Sequence, residues 1–257
     1  MKILGVKIDK LSLNEVLNKV KGFLEDGKSH YIVTPNPEFL VKAQKDEEFF
    51  KILNKADLSV PDGIGLVFAS LLLGEKIKER VTGIDLMEAI CKKAAKKKWP
   101  VFLFGAGPGV AERAGENLRG RYKKLKVFII NQSENKNSHP NFFKRFTLKG
   151  SDASQKNLDY SLLHKSPSIL FVALGAPKQE KWINENLKKM PNIKLAVGVG
   201  GAFDFISERV KRAPEFMKAL GLEWFWRLII QPWRIKRIFN ALIVFPYLVF
   251  KEKIKNR

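Results

Sequence analysis

PVFLFGAGPGVAERAGENLRGRYKKLKVFII, residues 100–130, carries an apolar strand, a glycine turn, a helix and a second apolar strand in one run. Pro100 to Phe104 and Lys126 to Ile130 are apolar without alternation, the pattern of strands buried on both faces. Between them, apolar residues recur at helical spacing from Val110 to Arg121. A strand buried on both faces and followed by a helix belongs to a mostly parallel sheet covered by helices.

The same β-then-α order extends in both directions. Downstream, SILFVALG (168–175) and KLAVGVGG (194–201) are further buried strands, with a helix from about Lys178 to Lys189 between them. Upstream lie a helix from Asp85 to Lys98, a helix from about Ile64, a strand in ADLSVPDG (56–63) and a helix from about Glu38 to Lys55. HYIVTPN (30–36) is a strand running into the turn Pro35-Asn36-Pro37, Leu13 to Leu24 a helix behind the N-cap Ser12, and Lys2 to Ile8 a short strand. The expected fold class is therefore α/β, a mostly parallel, Rossmann-like sheet flanked by helices. Residues 1–97 form an N-terminal α/β region with a candidate catalytic loop, 98–206 a nucleotide-binding region and 207–257 a helical basic and aromatic appendage. Neither period can be read in residues 131–165.

The 257 residues carry 47 Lys and Arg against 26 Asp and Glu, a formal charge of +21, which favours a polyanionic partner: anionic lipid, a phosphorylated substrate or nucleic acid. The lone Cys91, in DLMEAICKKAAKKK, reads as a small buried helix residue. Met1 to Lys10 has no apolar core of the kind a signal peptide needs. In the appendage, Ile238 to Phe250 is interrupted by Asn240 and Pro246 and falls short of the roughly 20 residues that span a bilayer. Trp and Phe beside Lys and Arg suit helices lying on an anionic membrane surface, or else packed on the core or on another subunit. The body is expected in the cytoplasm, peripheral on the inner face of the membrane, with a tail whose removal after about Phe205 leaves a folded core.

The chemistry is expected where strands end. Gly105, Ala106 and Gly107, with Gly109, form a glycine loop before a helix N-terminus, an arrangement that receives phosphate. It is GxGxG rather than GxGxxG, and strand KVFII ends at Asn131 and Gln132 without the acid that holds an adenosine ribose, which argues against an NAD-dependent oxidoreductase. A tight turn with no ligand is the other reading of this loop. Asp62 in VPDG follows a strand, where a carboxylate can serve as base, although Pro-Asp-Gly is also an ordinary turn. Arg80 and Thr82 in RVTGIDL, and Gln179 and Glu180 in LGAPKQEKW, fall at similar edges. No DxD pair and no His/Cys cluster at metal spacing occurs, so no metal or cofactor is expected and side-chain cations must meet a diphosphate. Arg227, Arg234 and Arg237 would lie within about an 80° arc on one continuous helix, unless Pro232 starts a new one. A non-enzymatic basic protein that binds membrane or nucleic acid is the reading from another class.

TPNPEFL (34–40), PDGIGLV (61–67), RVTGIDL (80–86), FLFGAGPG (102–109), LGAPKQEKWI (174–183) and GVGGAFDFISERVKRAPEF (198–216), in that order, resemble the WecG/TagA/CpsF glycosyltransferase family. The resemblance covers almost the whole chain outside residues 131–165. It implies a metal-independent, inverting transfer of N-acetylmannosamine, or a related sugar, from a UDP-sugar donor to N-acetylglucosamine on a polyprenyl diphosphate, as in teichoic acid linkage-unit synthesis. By that resemblance Asp62 is the general base. Thr34, Asn36, Arg80 and Gln179 line the sugar pocket, Gly105, Ala106 and Gly107 hold the nucleotide, and Arg227, Arg234 and Arg237 close over the diphosphate while the appendage docks on the membrane. Nucleic acid is not an expected partner, and a homo-oligomer is left open.

Overall fold

The computed structural model describes residues 1–132, 146–149 and 166–255. The chain forms two compact units, one of Met1–Val16, Val33–Thr82 and Lys211–Arg257, the other of Leu17–Ile32 and Gly83–Val210.

The second unit carries the sheet expected from residues 100–130. Strands β3 (His30–Val33), β5 (Val101–Gly105), β6 (Val127–Gln132), β7 (Phe146–Lys149), β8 (Ser168–Ala173) and β9 (Ile193–Gly198) run in the order β3-β9-β8-β5-β6-β7. All neighbours are parallel except β6 and β7. From β5 the chain goes to β6 on one side, then returns to β8 on the other, so strand order reverses at β5. Ligands in such sheets collect outside the carboxyl ends of the strands at this reversal. Every residue of β8 is buried, and Phe102, Phe128, Leu170, Val172 and Ile183 form one core, with the rings of Phe102 and Phe128 stacked 5.2 Å apart. α6 (Val110–Arg121) turns Val110, Ala111, Ala114, Gly115 and Leu118 inward. A Cβ on Gly115 would meet Ile129 Cδ1 at 3.0 Å, so glycine lets α6 lie close on the sheet. α5 (Gly83–Lys97) buries Cys91, as expected, and burial pushes its thiol far up, out of the range of a useful nucleophile. α7 (Lys178–Asn186) ends in a tighter turn over Leu187–Lys189, and α8 (Ala202–Ile206) follows β9.

The first unit departs further from expectation. The N-terminal strand is a hairpin, β1 (Lys2–Ile3) and β2 (Val6–Lys7), because Leu4 and Gly5 both take positive φ (49° and 74°), the backbone of a tight reversing turn. α1 (Leu13–Glu25) opens on a capping box: the Ser12 backbone N–H donates to Glu15 Oε2 (2.8 Å) and the Glu15 N–H to Ser12 Oγ (3.3 Å). The helix expected over 38–55 is two, α2 (Pro37–Ala43) and α3 (Glu47–Lys55), since Asp46 adopts an extended backbone and caps α3 through Phe49 N–H (2.9 Å). β4 is only Leu58–Ser59, and α4 covers Ile64–Leu72. Of residues 131–165, 131–132 complete β6 and 146–149 form β7; 133–145 and 150–165 lie outside the described residues.

The appendage is not one helix. It runs through α9 (Glu215–Ala219), α10 (Glu223–Ile230), a 3₁₀ turn Pro232–Arg234, α11 (Ile235–Phe239), a π turn Asn240–Val244 and α12 (Phe245–Lys255). Gln231 leaves helical geometry (φ −137°, ψ 68°) and Pro232 starts the next turn, as a residue without an N–H does well at a helix start. No helix of the described residues is long and apolar enough to cross a membrane. Nor is the appendage separable: α12 packs on α2 and α4, and Phe245 and Val249 are 2% and 1% exposed. A chain cut after Phe205 loses part of the first unit's core, so the folded core expected to remain would lack these contacts. Phe245→Ala should lower unfolding stability by about 3–5 kcal/mol in denaturant titration, the range for deleting a buried ring, whereas a tail merely resting on the surface would give almost no change.

Candidate active site

In the first unit the candidate base is held by main chain. Asp62 follows β4, and its N–H donates to Pro35 O (2.8 Å), while Val60 N–H donates to Val33 O (2.9 Å) and Val81 N–H to Pro61 O (3.1 Å). The loops carrying Thr34 and Asn36, Asp62, and Arg80 and Thr82 are thereby tied side by side. Packing tightens the arrangement: a Cβ on Gly63 would stand 3.2 Å from Pro37 Cδ, and one on Gly65 2.7 Å from Pro37 Cγ. Gly63 also needs its positive φ of 133°, which a side chain would resist. Thr34 is buried, Asp62 half-buried. Asn36 is the N-cap of α2, its side-chain oxygen accepting from Phe39 N–H (3.2 Å).

Arg80 reaches the appendage. Its Nη2 donates to Lys218 O (3.2 Å) and its Nη1 lies 4.0 Å from Glu223, which Arg212 Nε also approaches at 3.4 Å. Glu223 opens α10, and Arg227 lies one helical turn further along it. Nε and Nη2 of Arg227 and Nε of Arg234 are buried atoms. Arg237, on α11, donates from Nε to Glu38 Oε2 (2.7 Å). The backbone turns at Gln231 and Pro232 starts a new turn, so the three arginines do not lie on one continuous helix, the alternative that the proline had left open.

In the second unit the GAGPG turn sits at the strand reversal. Gly105 (φ 100°), Ala106 (φ 66°) and Gly109 (φ 72°) take positive φ, and Ala106 N–H donates to Ala173 O (2.8 Å) at the end of β8. A Cβ on Gly105 would meet that oxygen at 2.9 Å, so this glycine is required by close approach as well as by backbone conformation. Gln179, expected at the sugar pocket, is 0% exposed, its Oε1 accepting from Gly175 N–H (3.1 Å) and Gly200 N–H (3.0 Å) and its Nε2 donating to Glu180 Oε1 (2.7 Å). The side chain braces the loops after β8 and β9 from behind.

Two residues escaped the sequence reading. Glu38 lies inside TPNPEFL, where an acid in a helix's first turn looks like ordinary dipole compensation; its 5% exposure is a tertiary fact. Arg209 stands in a basic run, and folding brings its guanidinium over the glycine loop, where a Cβ on Gly107 would meet Nη1 at 2.8 Å.

N-acetylglucosaminyldiphosphoundecaprenol N-acetyl-beta-D-mannosaminyltransferase from Bacillus subtilis (strain 168) is 32% identical over 250 residues, 94% of this chain and 90% of the relative. The protein of the same name from Bacillus spizizenii is 32% identical over 218 residues, 85% of this chain and 78% of its own. That from Staphylococcus aureus (strain MRSA252) is 30% identical over 255 residues, 98% and 93% respectively. The profile of the glycosyl transferase WecG/TagA/CpsF family matches residues 1–257, and this chain, a glycosyltransferase, belongs to that family.

Proposed function

We propose that this glycosyltransferase moves N-acetylmannosamine from UDP to the 4-hydroxyl of N-acetylglucosamine carried on a polyprenyl diphosphate, with inversion at the anomeric carbon. The observation that carries the reading is Asp62 on a loop bonded through its own N–H to Pro35 O and packed against Asn36 and Pro37. A base earns its rate by position before acidity, and this loop has little freedom to drift. Asp62 takes the acceptor proton as the oxygen attacks; the new C–O bond forms while the bond to the diphosphate breaks, and UDP leaves with the electron pair. Thr34 and Asn36 contact the sugars. Arg80 fixes the start of α10 through Glu223, and so the placement of Arg227.

The leaving diphosphate gains charge as the bond breaks, so cations preset around it favour the transition state over the ground state. Arg227, Arg234 and Arg237 supply them. Gly105, Ala106 and Gly107 hold the nucleotide by close backbone approach, with Arg209 as an added cation over the loop. Gln179 acts by keeping the loops after β8 and β9 in place. The appendage supports the peripheral inner-membrane reading: Leu220, Ile229, Trp233, Phe239, Tyr247 and Phe250 are exposed apolar side chains interleaved with Lys and Arg. Such helices sit at headgroup depth, with about 1 kcal/mol of attraction per cation near an anionic leaflet.

With UDP-N-acetylmannosamine and a lipid-linked N-acetylglucosamine, UDP release should be rapid for the unaltered chain and about 10²-fold slower or worse for Asp62→Asn at unchanged circular dichroism; equal rates would remove Asp62 as base. Gln179→Ala should lower the melting temperature and weaken UDP binding in calorimetry, because it leaves the half-buried Gly175 and Gly200 N–H groups without their acceptor, at up to about 1 kcal/mol each. A raised donor KM at unchanged melting temperature would instead mean that Gln179 touches the sugar. Sedimentation with vesicles should capture the chain on phosphatidylglycerol and not on phosphatidylcholine, with Trp233→Ser and Phe239→Ser together weakening capture; equal capture by both vesicles would reject the anionic-surface reading.

A further inference from the structure

Glu38 is a charged side chain shut away from water, only 7% exposed, and it sits in the first turn of α2 two residues after Asn36. A carboxylate so placed is costly unless paired and hydrogen-bonded. It is paired twice: Oε1 lies 2.8 Å from Lys42 Nζ one turn further along α2, and Oε2 accepts from Arg237 Nε at 2.7 Å. If dipole compensation were all that Glu38 did, neither burial nor a partner on a distant segment of chain would be needed.

The choice of nitrogen matters. A guanidinium is planar, so a bond to Nε takes up one edge of the group and fixes its plane, leaving the outer edge between Nη1 and Nη2 for another ligand. Those terminal nitrogens form the fork that receives phosphate oxygens bidentately. Lys42 meanwhile shares the same carboxylate through Oε1. α11 itself is a short helix between a 3₁₀ turn and a π turn, poorly able to fix a long side chain unaided.

We propose that Glu38 is a positioning residue that aims Arg237 at the diphosphate of the nucleotide donor. The proposal rests on the UDP-sugar reading above and adds to it a role for a residue inside TPNPEFL. Groups that orient a ligating side chain from behind typically matter 10–100-fold where they have been removed at metal sites, and a similar effect is expected here.

The test is a two-by-two set of full-length chains, unaltered, Glu38→Gln, Arg237→Ala and the double variant, with kcat and donor KM from UDP release and melting temperatures for all. Glu38→Gln should lower kcat/KM about 10-fold or more. Adding it to Arg237→Ala should change kcat/KM by less than about twofold, because residues that act through one another are not additive. Glu38→Asp, which restores the charge, should recover part of the loss. Losses that multiply in the double variant, or a Glu38→Gln chain as active as the unaltered one, would overturn the positioning role while leaving the transferase intact. If the unaltered chain released UDP from no UDP-sugar, the function reading would fall, and this proposal with it.

Discussion

Parallel strands buried on both faces leave little room for polar side chains along their length, and the rest of the enzyme follows from that constraint. β8 is buried from end to end with Ser168 its single polar residue, so most polar chemistry falls to the loops at its carboxyl end and at those of its neighbours. There, backbone replaces side chain as the organiser. Ala106 N–H is bonded to Ala173 O, Gly175 and Gly200 N–H to Gln179, and Asp62 N–H to Pro35 O. The loops are irregular in sequence yet tightly fixed in space, a combination suited to a site that must discriminate among sugars.

Charge follows a second rule. A chain this basic could repel its own appendage, but two carboxylates are each shared by two cations: Glu38 by Lys42 and Arg237, Glu223 by Arg80 and Arg212. In each group a carboxylate ties an arginine to a second cation and so holds it in place. Buried pairs of this kind add little net stability over apolar packing, and their value lies in fixing which atom faces which. Binding energy from phosphate oxygens can then go into the reaction rather than into gathering the cations.

The sheet was legible in the sequence because both-face burial leaves unbroken apolar runs, and β5, α6, β8 and β9 fall within a residue or two of where periodicity puts them. The breaks were less legible. A single residue decides each: Asp46 ends one helix by capping the next, Leu4 and Gly5 turn a strand into a hairpin, and Gln231 bends a helix that spacing alone would continue. Among the site residues, Asp62 and Asn36 were readable from their place at strand ends and beside turns. Gln179 was read by type and edge position, but its burial depends on Gly175 and Gly200, far apart along the chain from one another. Glu38 and Arg209 could not be singled out, because their significance comes from partners that only folding supplies.

The burial of Phe245 and Val249 against α2 and α4 also bears on how the enzyme is made. Synthesis proceeds from the N-terminus, and domains tend to fold as they emerge. The second unit has all its strands once residue 210 is out, whereas the first unit, begun earliest, must wait for residues beyond 245. The loop bearing Asp62 is thus finished by the last part of the unit to be translated, and a ribosome that stalls in the appendage releases a chain whose second unit has its strands while its first lacks part of its core.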